Sequence, residues 1–245
     1  MNRLRVAALY PDQMNIYADR GNITFLRRRC EWRGIEFSYL AIGLGERLDP
    51  DSADLIYIGG GQDRDQRIVA ADILATKQAD VAAAVEDGTV LLAVCGGYQL
   101  LGHSYQLGDE RIDGLGVADL ETVREPGPRL IGNVAIEVDL GTGPRTIAGF
   151  ENHGGRTYLG STATPFGRVL KGHGNNGDDG FEGVRRLNIF GTYLHGPLLP
   201  KNSWLADHLI GLALAGGSME PIQLAPLEDD IEDQAHKTAR GAALA

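Results

Sequence analysis

Apolar residues fall along this chain in short unbroken runs, separated by longer stretches where they recur every three or four positions. Leu4 to Tyr10 predicts a strand, and Ile23 to Trp32 has helical spacing that stops at Gly34. Ile35 to Ile42 predicts the next strand and Leu55-Ile56-Tyr57-Ile58 a short buried one. Ile68, Ala71, Ala75, Ala79, Ala82 and Val85, with charged residues among them, predict an amphipathic crossover helix closed by Gly88. It leads into the apolar run Val90 to Val94. Strands alternating with helices predict an α/β fold, an open and mostly parallel sheet flanked by helices.

The second half has a different texture. Gly108 to Gly116 is polar and turn-rich, and Glu125-Pro126-Gly127-Pro128 is a cluster of breakers. Leu130 to Leu140 predicts a strand, and Thr146 to Phe150 leads into Glu151-Asn152-His153-Gly154-Gly155. Gly172 to Gly180 is so poor in apolar residues that it predicts an exposed, mobile loop. Ile189 to Leu194 predicts a late strand ending at His195-Gly196-Pro197, and Leu205, Leu209 and Leu212 mark a helix stopped by Gly216-Gly217. One domain over 1–216 and a tail over 217–245 follow. The tail, opened by the acidic run Glu228-Asp229-Asp230, predicts a partly helical segment that is weakly held or reserved for a partner.

Charge and cysteine content narrow the classes. A formal charge of −10 argues against nucleic acid or an anionic membrane surface as the main partner. The cluster Arg27-Arg28-Arg29 with Arg33 is the local exception and predicts a solvated surface or a protein contact. Cys30 and Cys95 are too few for a disulfide scaffold and have no metal-type spacing, so a reduced, cytoplasmic chain without a metal is expected. The apolar part of the N-terminus is too short for a signal peptide.

Chemistry concentrates where the run Val90 to Val94 meets Cys95-Gly96-Gly97-Tyr98-Gln99. A strand that stops at a cysteine and turns through two glycines into an apolar helix start has the pattern of a nucleophile elbow, with Ala93 and Gly97 as the small neighbours a sharp bend needs. The attacking species is the sulfur anion, which helix N-terminal N–H groups suit. A small buried hydrophobe is the plain alternative for a free cysteine. The glycines and the preceding strand favour the nucleophile.

A sulfur nucleophile at one strand end asks for a base at another. His195 occupies such a place; His153 is the next choice, while His103, His173, His208 and His236 fall outside predicted strand ends. Oxyanion stabilisation can come from the N–H of Gly96 and from the triple-glycine turn through Gly60 or Gly61. That turn is not a phosphate loop, because no Lys-Ser or Lys-Thr follows at the required spacing. Acyl transfer through a thioester is the predicted chemistry.

Cys95-Gly96-Gly97-Tyr98-Gln99 together with Gly191-Thr192-Tyr193-Leu194-His195-Gly196 resembles the class I glutamine amidotransferase domain of the cobyric acid synthase-like branch, with flavodoxin-like architecture. Tyr17-Ala18-Asp19-Arg20-Gly21-Asn22 and Gly59-Gly60-Gly61-Gln62-Asp63 are most similar to stand-alone glutaminase subunits of lipid II isoglutaminyl synthase. The resemblance implies that Cys95 attacks the side-chain amide of L-glutamine, that Gln99 touches the bound substrate and that Arg129 holds its carboxylate. It also implies a heterodimer with a MurT-like Mur ligase subunit carrying ATP and Mg, reaching lipid II at the inner membrane face, with peptidoglycan biosynthesis as the role. The sequence departs from the usual triad at one place. Pro197 stands where many relatives carry the glutamate that orients the histidine, so the site is either a Cys95–His195 dyad or one oriented by Glu151 or Asp19. Rival readings are an amidotransferase subunit for another acceptor such as a corrinoid-like acid, a partnerless γ-glutamyl cysteine hydrolase, and a glutamine-binding regulator.

Overall fold

The apolar runs of the first half become strands of a single sheet. A computed structural model describes residues 3–16 and 19–245; Tyr17 and Ala18 of the loop after the first strand lie outside the described residues. In chain order the elements are β1 (Arg3–Leu9), α1 (Arg20–Trp32), β2 (Glu36–Ile42), β3 (Leu55–Ile58), α2 (Asp63–Thr76), α3 (Gln78–Glu86), β4 (Val90–Val94) and α4 (Gly96–Leu100). Next come β5 (Ser104–Leu107), β6 (Glu110–Asp113), β7 (Leu120–Val123), β8 (Leu130–Asp139), β9 (Pro144–His153), β10 (Arg156–Leu159) and β11 (Gly167–Lys171). The chain closes with β12 (Phe181–Glu182), β13 (Val184–Arg186), β14 (Ile189–Thr192), α5 (Ser203–Leu214) and α6 (Asp230–Leu244).

The main sheet has the order β13-β14-β4-β3-β1-β2 and is parallel except for β13 at one edge. Its central strands β3, β4 and β14 are buried along their whole length, which is why they read as unbroken apolar runs. The crossover from β1 to β2 runs one way along the sheet and that from β3 to β4 the other. Right-handed crossovers therefore place α1 and the α2–α3 pair on opposite faces. Direction reverses between β1 and β3, and in sheets of this order ligands bind outside the carboxyl ends at that point. The loop after β1, the glycine turn after β3 and the elbow after β4 all open there.

Two further four-stranded sheets, β10-β7-β5-β6 and β12-β11-β8-β9, account for the changed texture after residue 100. Four expectations are corrected here. The segment 172–180 is anchored rather than mobile: Asn175 and Asn176 are buried, the Asn175 carbonyl accepts from the Thr157 N–H at 2.9 Å, and Asn176 Nδ2 donates to the Thr157 carbonyl at 3.1 Å. Its core is polar, so hydropathy does not reveal it. Half of the basic cluster is not a solvated surface: Arg27 and Arg28 are exposed, but Arg29 is fully buried, its guanidinium bridging Asp207 (2.6 Å) and Asp229 (2.7 Å), and Arg33 donates to Asp207 (2.6 Å) and to the Ala225 carbonyl (2.7 Å).

Those same contacts tie down the tail, the third correction. Asp229 holds the start of α6 to α1, and His236 Nδ1 donates to the Lys201 carbonyl at 2.9 Å and to Asn202 Oδ1 at 3.2 Å. Asn202 in turn donates to the Ala148 and Leu198 carbonyls at 2.9 and 2.8 Å. The tail thus braces the loop that follows His195. The predicted crossover helix is two helices, broken at Lys77, whose ammonium folds back to Asp72 Oδ2 (2.7 Å) over the Tyr10 ring.

Candidate active site

Cys95 sits at the junction of β4 and α4 with φ 52° and ψ −106°, a backbone conformation that costs a non-glycine residue on the order of 1–3 kcal/mol. Three hydrogen bonds hold it there. The Cys95 N–H donates to the Thr192 carbonyl at 2.8 Å, the Gly97 N–H to the Gly59 carbonyl at 3.1 Å, and the Gln99 N–H back to the Cys95 carbonyl at 3.0 Å. Position 97 has no room for a side chain, because a Cβ there would lie 2.6 Å from the Ile58 carbonyl oxygen. The elbow is therefore bound to β3 on one side and β14 on the other, and it is the β14 bond that sets Cys95 against His195.

His195 follows β14 and is fully buried, its backbone exchanging hydrogen bonds with Phe150 (2.8 and 3.3 Å). Its Nδ1 lies 3.5 Å from Asp19 Oδ1, and Cys95 acts on the ring through charge and hydrogen bonding. Burial pushes the imidazole pKa down, but the charge on Cys95 and the hydrogen bonds to Asp19 and Cys95 outweigh it and raise the value to about 10. At neutral pH the ring is an imidazolium facing the Cys95 sulfur.

Of the two carboxylates the sequence offered for orienting this ring, Asp19 stands at His195 and Glu151 does not. The Glu151 oxygens accept the N–H groups of His173 (2.7 Å) and Gly174 (2.9 Å), holding the 172–180 segment. Asp19 immediately precedes α1, where its carboxylate makes no capping bond; Oδ2 instead accepts the Gly60 N–H at 2.7 Å. The loop after β1, and not the residue pair after the histidine, supplies the anion.

That bond also corrects the oxyanion assignment. The Gly60 N–H is committed to Asp19, and a Cβ on Gly60 would sit 2.9 Å from His195 Cε1, so Gly60 serves to let the three groups meet. Gly61 and Gly96 remain as donors. Among the described residues neither N–H has an acceptor, and a Cβ built on Gly96 would lie 3.1 Å from the Gly61 nitrogen. Two backbone donors at the nucleophile, one at a helix N-terminus, are what a tetrahedral oxyanion requires.

Gln99 is buried, with both ends of its amide engaged. Oε1 accepts from Gln66 Nε2 at 2.9 Å, and Nε2 donates to the Tyr193 hydroxyl at 3.2 Å. Arg129 is exposed, with its guanidinium on Asn152 Oδ1 and the Asn152 carbonyl, both at 2.8 Å; no contact joins it to Cys95 or His195 among the described residues. His153 is no base here: it stacks on Tyr193 at 3.6 Å, Nδ1 donates to the Gly155 carbonyl at 2.9 Å, and burial pushes its pKa down. His103, His208 and His236 lie against Asp119, Phe190 and Lys201, and His173 is exposed. No cluster among the described residues could hold a metal ion.

Two residues of the site escape sequence reading. Gln66, on the first turn of α2, lies between Gln99 and the elbow, and only its position six residues after Gly60 hints at that. Glu182 is fully buried behind β14, accepting the Tyr193 N–H at 2.6 Å and the Thr192 hydroxyl at 3.0 Å. Burial pushes its carboxyl up to about 8 against those two hydrogen bonds.

Comparison with known proteins agrees with this geometry. Residues 5–203 match the CobB/CobQ-like glutamine amidotransferase domain family. The chain is 38% identical over 233 residues to the lipid II isoglutaminyl synthase (glutamine-hydrolyzing) subunit GatD of Streptococcus pneumoniae, covering 95% of this chain and 88% of that one. To GatD of Staphylococcus aureus it is 39% identical over 236 residues, covering 96% and 94%. Cobyric acid synthase of Pelotomaculum thermopropionicum is 34% identical over 203 residues, which are 72% of this chain but 37% of that protein. Among solved structures, a chain of PurLQS from Thermotoga maritima shares the fold with a TM-score of 0.57 and 19% identity, over 89% of this chain and 97% of that one. The chain belongs to the CobB/CobQ-like glutamine amidotransferase family.

Proposed function

We propose that this chain is the glutaminase half of a two-subunit synthetase that amidates the α-carboxylate of D-glutamate in the lipid II stem peptide. The observation that carries the chemistry is the buried line Asp19–His195–Cys95, with a charged imidazole against the sulfur. The Cys95 anion attacks the side-chain amide carbon of L-glutamine, forming a C–S bond while the carbonyl electron pair moves onto oxygen, where the Gly61 and Gly96 N–H groups receive it. As the intermediate collapses the C–N bond breaks, and the imidazolium of His195 gives its proton to the departing nitrogen, which leaves as ammonia. His195 then takes a proton from water, whose oxygen adds to the thioester; the C–S bond breaks, glutamate leaves and the ion pair is restored. Asp19 keeps the Nδ1 proton in place throughout. Arg129 binds the substrate carboxylate by the two-pronged geometry of a guanidinium.

Ammonia released into water is protonated and lost as a nucleophile, so a glutaminase of this kind works beside an acceptor-activating subunit. The identity to the two GatD subunits runs over nearly their full length, whereas the cobyric acid synthase match is a fraction of that protein. This supports a MurT-like Mur ligase partner, using ATP and Mg, over a corrinoid-type acceptor. Among the described residues no helix is long and apolar enough to cross a membrane; lipid II is reached at the inner membrane face through the partner.

The test is ammonia release from L-glutamine by the chain alone and with a MurT-like subunit, for wild type, Cys95→Ala and His195→Ala. Loss of release in both variants, and D-isoglutamine in lipid II only with partner and ATP, supports the proposal. Undiminished release by Cys95→Ala overturns the glutaminase reading, and a stable complex with a non-Mur synthetase alone overturns the acceptor.

A further inference from the structure

Gln66 is the polar side chain next to the elbow that the chemistry above leaves unused. It is 4% exposed, and a Cβ built on Gly96 would lie 2.1 Å from its Nε2 and 3.1 Å from the Gly61 nitrogen. Three donors therefore crowd one spot beside Cys95: the two backbone N–H groups and the Gln66 amide. A primary amide nitrogen carries two N–H bonds. One is spent on Gln99 Oε1 at 2.9 Å; among the described residues the second has no acceptor.

What holds Gln66 there is a buried relay of neutral groups. Gln66 donates to Gln99, Gln99 to the Tyr193 hydroxyl at 3.2 Å, that oxygen lies 2.6 Å from Thr157 Oγ1, and Thr157 lies 2.7 Å from Thr122 Oγ1. Because Gln99 gives its NH₂ to Tyr193 and presents its oxygen to Gln66, the Gln66 amide meets it with the NH₂ end. The relay thereby turns the Gln66 NH₂ group toward Gly96. A buried donor left without a partner is costly. Its retention at a nucleophile, aimed by four other side chains, is the arrangement of a group that gains its acceptor only during reaction.

We infer that Gln66 is a catalytic residue of the glutaminase: its Nε2 donates to the substrate amide oxygen as negative charge develops there, beside Gly61 and Gly96. This rests on the proposed glutaminase reading. Gln99, expected from the sequence to touch substrate, is a positioning residue one step behind.

Gln66→Leu and Gln66→Glu separate this role from a structural one, assayed in the full chain with and without the MurT-like subunit. Two rates are compared: glutamine hydrolysis, which builds an oxyanion, and alkylation of Cys95 by iodoacetamide, which displaces iodide at a saturated carbon and builds none. Gln66→Leu should lower kcat by about a hundredfold, the scale seen for a single oxyanion donor, with KM within about threefold and the alkylation rate within about twofold. Gln66→Glu, which sets a negative charge against the oxyanion, should be slower still. Gln99→Leu should fall between wild type and Gln66→Leu. If Gln66→Leu does not fold, Gln66→Asn keeps the amide but withdraws its reach, and the same split between the two rates is expected. Unchanged kcat in the folded variants, or alkylation falling in parallel with kcat, overturns the inference. A wild type that hydrolyses no glutamine in either preparation would instead overturn the reading beneath it.

Discussion

Removing the Cys95 sulfur should lower the pKa of His195, and that shift can be measured without turnover. The imidazole stands at about 10 against an ordinary 6.5. Burial works against the charged ring, the Cys95 charge is the largest influence in its favour, and Asp19 follows. A tenfold change in a protonation equilibrium is about 1.4 kcal/mol, so the surroundings favour imidazolium by on the order of 5 kcal/mol. Cys95→Ala deletes the principal raising cause while leaving the 3.5 Å contact with Asp19, so the ring should titrate well below wild type. Adding Asp19→Asn should lower it again, since burial then acts nearly unopposed. The assay is a pH titration of ¹⁵N-histidine resonances; there are six histidines, and His195→Gln identifies the one concerned. Stability follows with a definite sign. Because the folded value lies above the unfolded one, the contribution of His195 is fully present below pH ~6.5 and is lost as pH rises through about 10. Cys95→Ala should flatten that alkaline decline. A wild-type His195 titrating at or below 6.5, or one that Cys95→Ala leaves in place, would refute the ion-pair argument.

The two candidate carboxylates should separate cleanly. Asp19→Asn should cut kcat/KM by about 10²–10⁴ while the chain stays folded, as loss of an orienting anion does elsewhere. Glu151→Gln should leave kcat near wild type but lower stability by roughly 1–3 kcal/mol in urea melts, because its oxygens serve the backbone of the 172–180 segment. Arg29→Met should cost about 3 kcal/mol or more, seen as a fall in Tm, since two carboxylates lose the buried guanidinium between them. Arg129→Ala should raise KM for glutamine about tenfold at unchanged kcat, the loss of one charge-assisted contact. Gly97→Ala, with its Cβ 2.6 Å from a carbonyl oxygen, should abolish hydrolysis even where circular dichroism reports a folded chain.

Local pattern carried much of this molecule. The strands of the parallel sheet were legible because each central one is buried on both faces and reads as an apolar run. Cys95 and His195 were legible because each ends such a run at a small-residue turn. The anchored segment 172–180 was not, since asparagine side chains and a buried glutamate do there what apolar residues do elsewhere, and hydropathy cannot distinguish a satisfied polar core from a solvated loop. The tail misled for a related reason: its hold comes from charge and hydrogen bonds to α1, 200 residues away in sequence, and to Asn202, 34 away.

By itself, then, the order of residues determined that a cysteine and a histidine would arrive at the carboxyl ends of two strands, with glycines to admit an amino acid amide. Only the tertiary structure decided that β4 and β14 are neighbours, that Asp19 and not Glu151 meets the imidazole, and that the Gly60 N–H serves Asp19 instead of the substrate. The reason is one of range. Hydrophobic burial is imposed residue by residue and leaves its period in the sequence, whereas a hydrogen bond between residues 19 and 195 depends on a strand order that no local period records.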